Sequence, residues 1–258
     1  MIMVIVITGI VGGMVAVFLK APIQQYMDVS RRAELTDIAD TALYRLASDI
    51  STAVPNSIRT AGCGAPPCIE FLPTTDGGRY RADIPGNPLV FDGADTTFDV
   101  IGPVTVAVND QIVIGSSSSG GAMAHTAAAA GGLRTVTGVA GSTITLNAGL
   151  PLAAELPTRR FDVIDGGAVT YACTGVGTDA NGDGTGVLTR HWGYGVNAVQ
   201  VNPPVGGTTA ILADRVSGCT IDYDVPNQRM GLLGIRLTLT RGGESISLYH
   251  EIHVNNIP

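Results

Sequence analysis

Residues 1–19 read MIMVIVITGIVGGMVAVFL, a run with no charge and one hydroxyl, Thr8. As a helix it spans about 28 Å at ~1.5 Å per residue, close to the ~30 Å hydrocarbon core of a bilayer. A helix that is apolar all round has no face for water, so the segment must be covered by lipid or by other apolar surface. A cleaved secretory signal has a basic flank, a shorter apolar core and a small-residue cleavage site. The sequence shows none of these, and the run leads directly into Lys20 and Pro22. We read residues 1–21 as a transmembrane or filament-core half-helix. Gly9, Gly12 and Gly13 are small residues that let helices approach closely in membranes or bundles.

A second helical pattern follows. Leu35, Ile38, Ala42, Leu46 and Ile50 recur at spacings of three and four, and Ala39, Leu43 and Ala47 widen the stripe. Arg31, Arg32, Glu34, Asp37, Asp40, Arg45 and Asp49 take most of the other positions, giving one buried face. Pro55 cannot continue the hydrogen-bond ladder and ends the helix; Pro22 kinks the junction. The spacing predicts an amphipathic half-helix over 22–54, and one interrupted helix of roughly 75 Å in all.

The remaining residues, 55–258, form the head. With 34 glycines and 14 prolines in 258 residues, helix cannot dominate throughout. Short β-rich runs are predicted at 68–72, 79–84, 97–101, 111–114, 133–139, 143–146, 168–173, 187–191 and 220–225. The clearest unit is a hairpin of 231–240 and 244–254 around Arg241-Gly242-Gly243, with alternating apolar residues on both arms. The expected fold class is α+β, a long kinked amino-terminal helix packed on an antiparallel β-sheet head. Residues 115–132, GSSSSGGAMAHTAAAAGG, read as a low-complexity loop. A formal charge of −7 and a single lysine leave no basic patch for phosphates, so no nucleic-acid partner is expected.

The stretch MIMVIVITGIVGGMVAVFLKAPIQQYMDVSRRAELTDIADTALYRLASDI resembles the amino-terminal helix of type IV pilins and type II secretion pseudopilins. Within that superfamily, AVPNSIR after the helix and the ending HEIHVNNIP resemble minor pilins of mannose-sensitive haemagglutinin pili. About the first sixty residues and the last ten carry this resemblance. The middle matches only as a glycine-rich β region. The resemblance implies a pilin-like fold, and a basic leader, a cleavage glycine and a glutamate upstream of Met1. It places Gly9 at the family's mid-helix glycine. It further implies assembly with other pilins or minor pilins through Gly9, Gly12, Gly13 and Pro22, residence in the bacterial inner membrane before assembly, and contact with pilus assembly machinery. The implied function is a minor pilin that initiates or decorates an adhesive pilus, and no enzyme. A J-type pseudopilin is the alternative within the superfamily, and a tethered envelope enzyme or sugar-binding domain the alternative outside it.

Four cysteines, Cys63, Cys68, Cys173 and Cys219, allow three connectivities. In an oxidising envelope compartment we pair Cys63 with Cys68, across a proline-rich bend, and Cys173 with Cys219. Zinc is disfavoured because Cys173 and Cys219 lack close ligand partners. Asp179, Asn181, Asp183 and Thr185 match the opening half of a calcium loop, D-x-N-x-D-G, and some pseudopilins hold structural calcium. The twelfth position, however, is Arg190 and not a glutamate. The rival reading of the same residues is a polar turn.

Other constellations are read as structural. Gly175-Val-Gly177 imitates a dinucleotide fingerprint but leads into Asn181-Gly182-Asp183-Gly184, which cannot start a helix. His250 and His253 beside Glu251 point to opposite faces of a strand, and His125 and His191 stand alone. Asp222 and Asp224 share a predicted strand face without a nucleophile nearby. No catalytic constellation results.

Overall fold

The chain is described from a computed structural model over residues 1–65, 67–115, 124–127, 131–151, 158–164 and 166–254. Helix α1 runs from Ile2 to Ser51 as one α-helix, with Pro22 inside it. It stops before the expected boundary at 54, because the backbone of Ala53 bridges to Pro73 and the N–H groups of Thr52 and Ala53 bond back to the carbonyls of Asp49 and Ile50. The stripe Leu35, Ala39, Ala42, Leu43, Leu46 and Ile50 is fully buried, as its spacing requires.

Twelve strands follow among the described residues. In order they are β1 (Cys68–Phe71), β2 (Thr74–Tyr80), β3 (Thr97–Ile101), β4 (Gln111–Ile114), β5 (Leu133–Ala140) and β6 (Thr143–Leu146). After these come β7 (Arg160–Ile164), β8 (Val169–Thr174), β9 (Gly186–Trp192), β10 (Thr208–Asp222), β11 (Leu232–Arg241) and β12 (Glu244–His253). A short helix, α2 (Val225–Met230), lies between β10 and β11.

Two antiparallel bodies result. One is a six-stranded sheet in the order β1-β8-β9-β10-β11-β12. The other is a closed barrel in the order β2-β3-β6-β5-β4-β7. The barrel is an insertion in the sheet: the chain leaves after β1 and returns at β8, and these two strands pair directly, Phe71 opposite Val169. Each body has its own core. The α1 stripe packs with Ile69, Tyr171, Leu188, Val216, Leu233, Leu237 and Ile252 of the sheet. Tyr80, Phe98, Ile112, Val136, Phe161 and Val163 fill the barrel. A third cluster with Leu72, Val113 and Ile164 joins the two bodies.

This corrects the expected α+β, pilin-like fold class. The molecule is mostly β and holds a sheet and a barrel, where a single sheet head was expected. The helix is also one unbroken element, where two half-helices kinked at Pro22 were expected. Alternation tells which residues face a core but not which of two cores they face, so the strand pattern alone cannot divide β2–β7 from the rest.

The membrane expectation is corrected too. Among the described residues, no helix is long and apolar enough to cross a membrane. The single-pass, inner-membrane location is therefore set aside.

Further differences are local. Strand β2 begins at Thr74, earlier than the predicted run at 79–84, and β7 and most of β10 carry no clear alternation. The low-complexity loop at 115–132 falls largely outside the described residues, as does the end of the HEIHVNNIP segment.

Candidate assembly site

Among the described residues, the amino-terminal part of α1 packs against no other part of its chain. Every described side chain from residue 1 to 27 is exposed, and the large apolar ones include Ile2 at 80%, Ile5 at 67%, Met14 at 62% and Phe18 at 81%. A Cβ added at Gly9, Gly12 or Gly13 would touch nothing within 4 Å. These three glycines, with Pro22, belong to one projecting helix of about 40 Å. The Thr8 hydroxyl donates to the Val4 carbonyl at 2.8 Å, so the segment's one hydroxyl is satisfied inside the helix.

Where this stalk meets the head, the turn between β11 and β12 grips it. Arg241 and Glu244 are paired, so Gly242 and Gly243 form a two-residue turn; both have positive φ, 56° and 84°, as a type I′ turn requires. Arg31 donates to the Gly242 carbonyl at 2.8 Å, Arg32 pairs with Glu244 at 2.6 Å and Arg241 with Glu34 at 2.8 Å. Exposed pairs of this kind contribute at most ~1 kcal/mol each, so they orient the helix more than they stabilise it. The anchor lies deeper. Asp49 accepts from Tyr171 Oη at 2.8 Å and from Arg190 Nε at 2.7 Å, tying the last turn of α1 to β8 and β9. Burial, then the Asp49 carboxylate, raises the Tyr171 hydroxyl well above its usual range and keeps it a donor.

The residues singled out for calcium make a loop that serves the same turn. Asp179 Oδ1 accepts from the N–H groups of Asn181 at 2.9 Å and Asp183 at 2.8 Å, and these bonds lower its pKa. Asp183 accepts from the N–H of Gly242, and the Thr185 hydroxyl donates to the Gly175 carbonyl. The oxygens thus face separate N–H and C=O partners instead of a common centre. Among the described residues, no group of three or more His, Cys, Asp or Glu is gathered for a metal. The observed hydrogen bonds are those of a polar turn. Gly177 accepts from the Thr185 N–H in the same loop, and no helix follows it.

Cys63 is bonded to Cys68 and Cys173 to Cys219. His250 faces inward on β12 and His253 outward. Asp222 ends β10, but Asp224 is not on a strand, which corrects the shared face: it caps α2 by accepting from the Asn227 N–H, and Gly231 closes that helix with φ 65°. Pro226 in the first turn of α2 is the local signal that reading as strand overlooked.

His125 is not isolated, and here the structure shows a cluster that spacing could not. Its Nε2 lies 2.8 Å from the Ser57 carbonyl and its Nδ1 3.5 Å from Glu70 Oε1. Arg59 pairs with the same carboxylate at 2.6 Å and donates to the carbonyls of Asn197 and Ala198. All three side chains are almost fully buried. Burial, reinforced by Arg59, pushes the His125 imidazole down to about 3, so it is neutral; burial raises the Glu70 carboxyl against the pull of Arg59. The Thr170 hydroxyl also bonds the Glu70 carboxyl, and the cluster acts as a polar pin between β1 and the segment after β4.

Comparison with family models, curated proteins and solved structures finds no match to this chain. Nothing in those comparisons supports a pilin or pseudopilin assignment.

Proposed function

We propose that the chain is a structural subunit that assembles with like helices through the stalk of α1, the low-copy filament role that its resemblance to minor pilins implies. One observation carries the reading: the helix is apolar on all sides over residues 1–19 and its described side chains there are exposed, while the stripe from Leu35 to Ile50 of the same helix is buried in the head. Burying six Ile, Val or Met side chains yields about 12 kcal/mol, on the scale of the ~4–15 kcal/mol that association costs. Lateral packing of such helices is therefore favourable once a few layers meet. Two disulfides suit assembly in an oxidising compartment.

The test is assembly of the full chain, followed by light scattering and negative-stain electron microscopy. The native chain should form elongated particles. A chain with Ile5→Ser, Ile10→Ser and Met14→Ser should stay monomeric with an unchanged melting temperature. An unrelated apolar helix in place of residues 2–19 should give amorphous aggregates. A native chain that remains monomeric, or a helix swap that assembles equally well, rejects the proposal.

A further inference from the structure

The outer face of the barrel holds two arginines in directly opposed positions. Arg79 on β2 stands opposite Arg160 on β7, and opposite Ile101 of β3 on its other side. Directly paired side chains have Cβ atoms about 5 Å apart, and like charges in that position destabilise a sheet. Both arginines are exposed, and no hydrogen bond or ring contact engages either guanidinium among the described residues; the charge of Arg160 acts on the half-buried Asp162 carboxyl two residues along β7. Every other arginine with a described side chain has a carboxylate, carbonyl or ring partner. In a chain of net charge −7, these two arginines face each other.

They border a cleft of about 280 Å³ lined by Gly77, Gly78, Ile101, Gly102 and Pro103. Gly77 leaves the floor open: a Cβ there would come 3.2 Å from the Phe161 carbonyl and 3.5 Å from Asp162 Oδ1. Two guanidinium forks on one side and the apolar Ile101 and Pro103 on the other suit a ligand that joins a carboxylate to a C–H-rich body. Asp162, the acid on this face, has its carboxyl raised by burial. Asp76 is engaged by the N–H groups of Gly77 and Thr105. The barrel is closed, so it offers no free strand edge on which a peptide could add. That favours a compact ligand.

We propose that Arg79 and Arg160 form a binding site for a carboxylate-bearing sugar on the outer wall of the barrel. A shared anion would offset the repulsion between the two guanidiniums when bound. The site is independent of the helical stalk, so it stands or falls separately from assembly.

The test is calorimetric titration of the full chain with D-glucuronate, D-glucose, sodium sulfate and a glutamate-containing tetrapeptide. Glucuronate should bind saturably and glucose at least about ten-fold more weakly, the scale of a lost charge-assisted hydrogen bond. Arg79→Gln and Arg160→Gln should each weaken glucuronate by about ten-fold or more, with the melting temperature and stalk assembly unchanged. Glucuronate no tighter than glucose, or Gln variants that bind like the native chain, overturn the proposal. Sulfate as tight as glucuronate means an adventitious ion only, and a tighter peptide means an acidic-peptide site; either also overturns it.

Discussion

His125 shows what a single buried residue does to the acid response of the whole chain. Its imidazole is pushed down to about 3 in the folded protein and titrates near 6.5 when unfolded. Between those values the unfolded chain binds the extra proton, so this residue's contribution to stability is complete above about pH 6.5 and falls as pH drops toward 3, by up to ~1.4 kcal/mol per pH unit. Glu70 works in the opposite direction, because its raised carboxyl gains a proton more readily when folded. Urea unfolding at stepped pH should therefore show His125→Gln with a shallower acid loss than the native chain; equal slopes contradict the assignment. Arg134 is a second case. It is 2% exposed and its guanidinium donates to the carbonyls of Gly131, Leu133 and Gly149. Arg134→Ala strands those acceptors and should cost about 3 kcal/mol in the same assay. Neither role was legible in the sequence. His125 and Glu70 are brought together only by the packing of β1 against a distant segment, and nothing beside Arg134 marks it as buried.

Helix α1 was the most legible element and also the one whose relation to the rest needed the structure. Its stripe from Leu35 to Ile50 could be read from spacing, because a 3.6-residue period has few other uses. Leu46 is fully buried in the shared core of helix and sheet, and Leu46→Ala should destabilise the chain by about 2–5 kcal/mol in chemical unfolding. Substitutions in the exposed stalk should leave that same curve in place. The strands were read well where alternation was clean, as in β3 and β6, and poorly in β10. That strand has a shifted register near Ala213 and between Val216 and Gly218, and Arg215 holds positive φ, so its period of two is broken. For the proposed calcium loop, motif spacing was legible but its use was not. Which oxygens face backbone N–H groups depends on where Gly242 lies, and Gly242 is far along the chain.

At the scale of the whole molecule, two cores share one chain and are held by different means. The sheet depends on the Cys173–Cys219 bond between β8 and β10, which closes a loop with a sequence separation of 46. On the chain-entropy view such a link is worth about 4 kcal/mol. Replacing both cysteines by serine should lower the unfolding midpoint of the sheet accordingly, while glucuronate titration should still report an intact barrel; simultaneous loss of both would mean the two bodies unfold as one. The insertion of the barrel between paired strands has a mechanical consequence. A tug on the barrel reaches the sheet by two neighbouring threads, at Phe71 and Val169, and loads both strands lengthwise. Strand β8 can then slide only by breaking its bonds to β9 together, and its far end is riveted to β10 through Cys173. The attachment is a shear joint with a covalent stop, suited to a head that must hold its grip while the stalk is under tension.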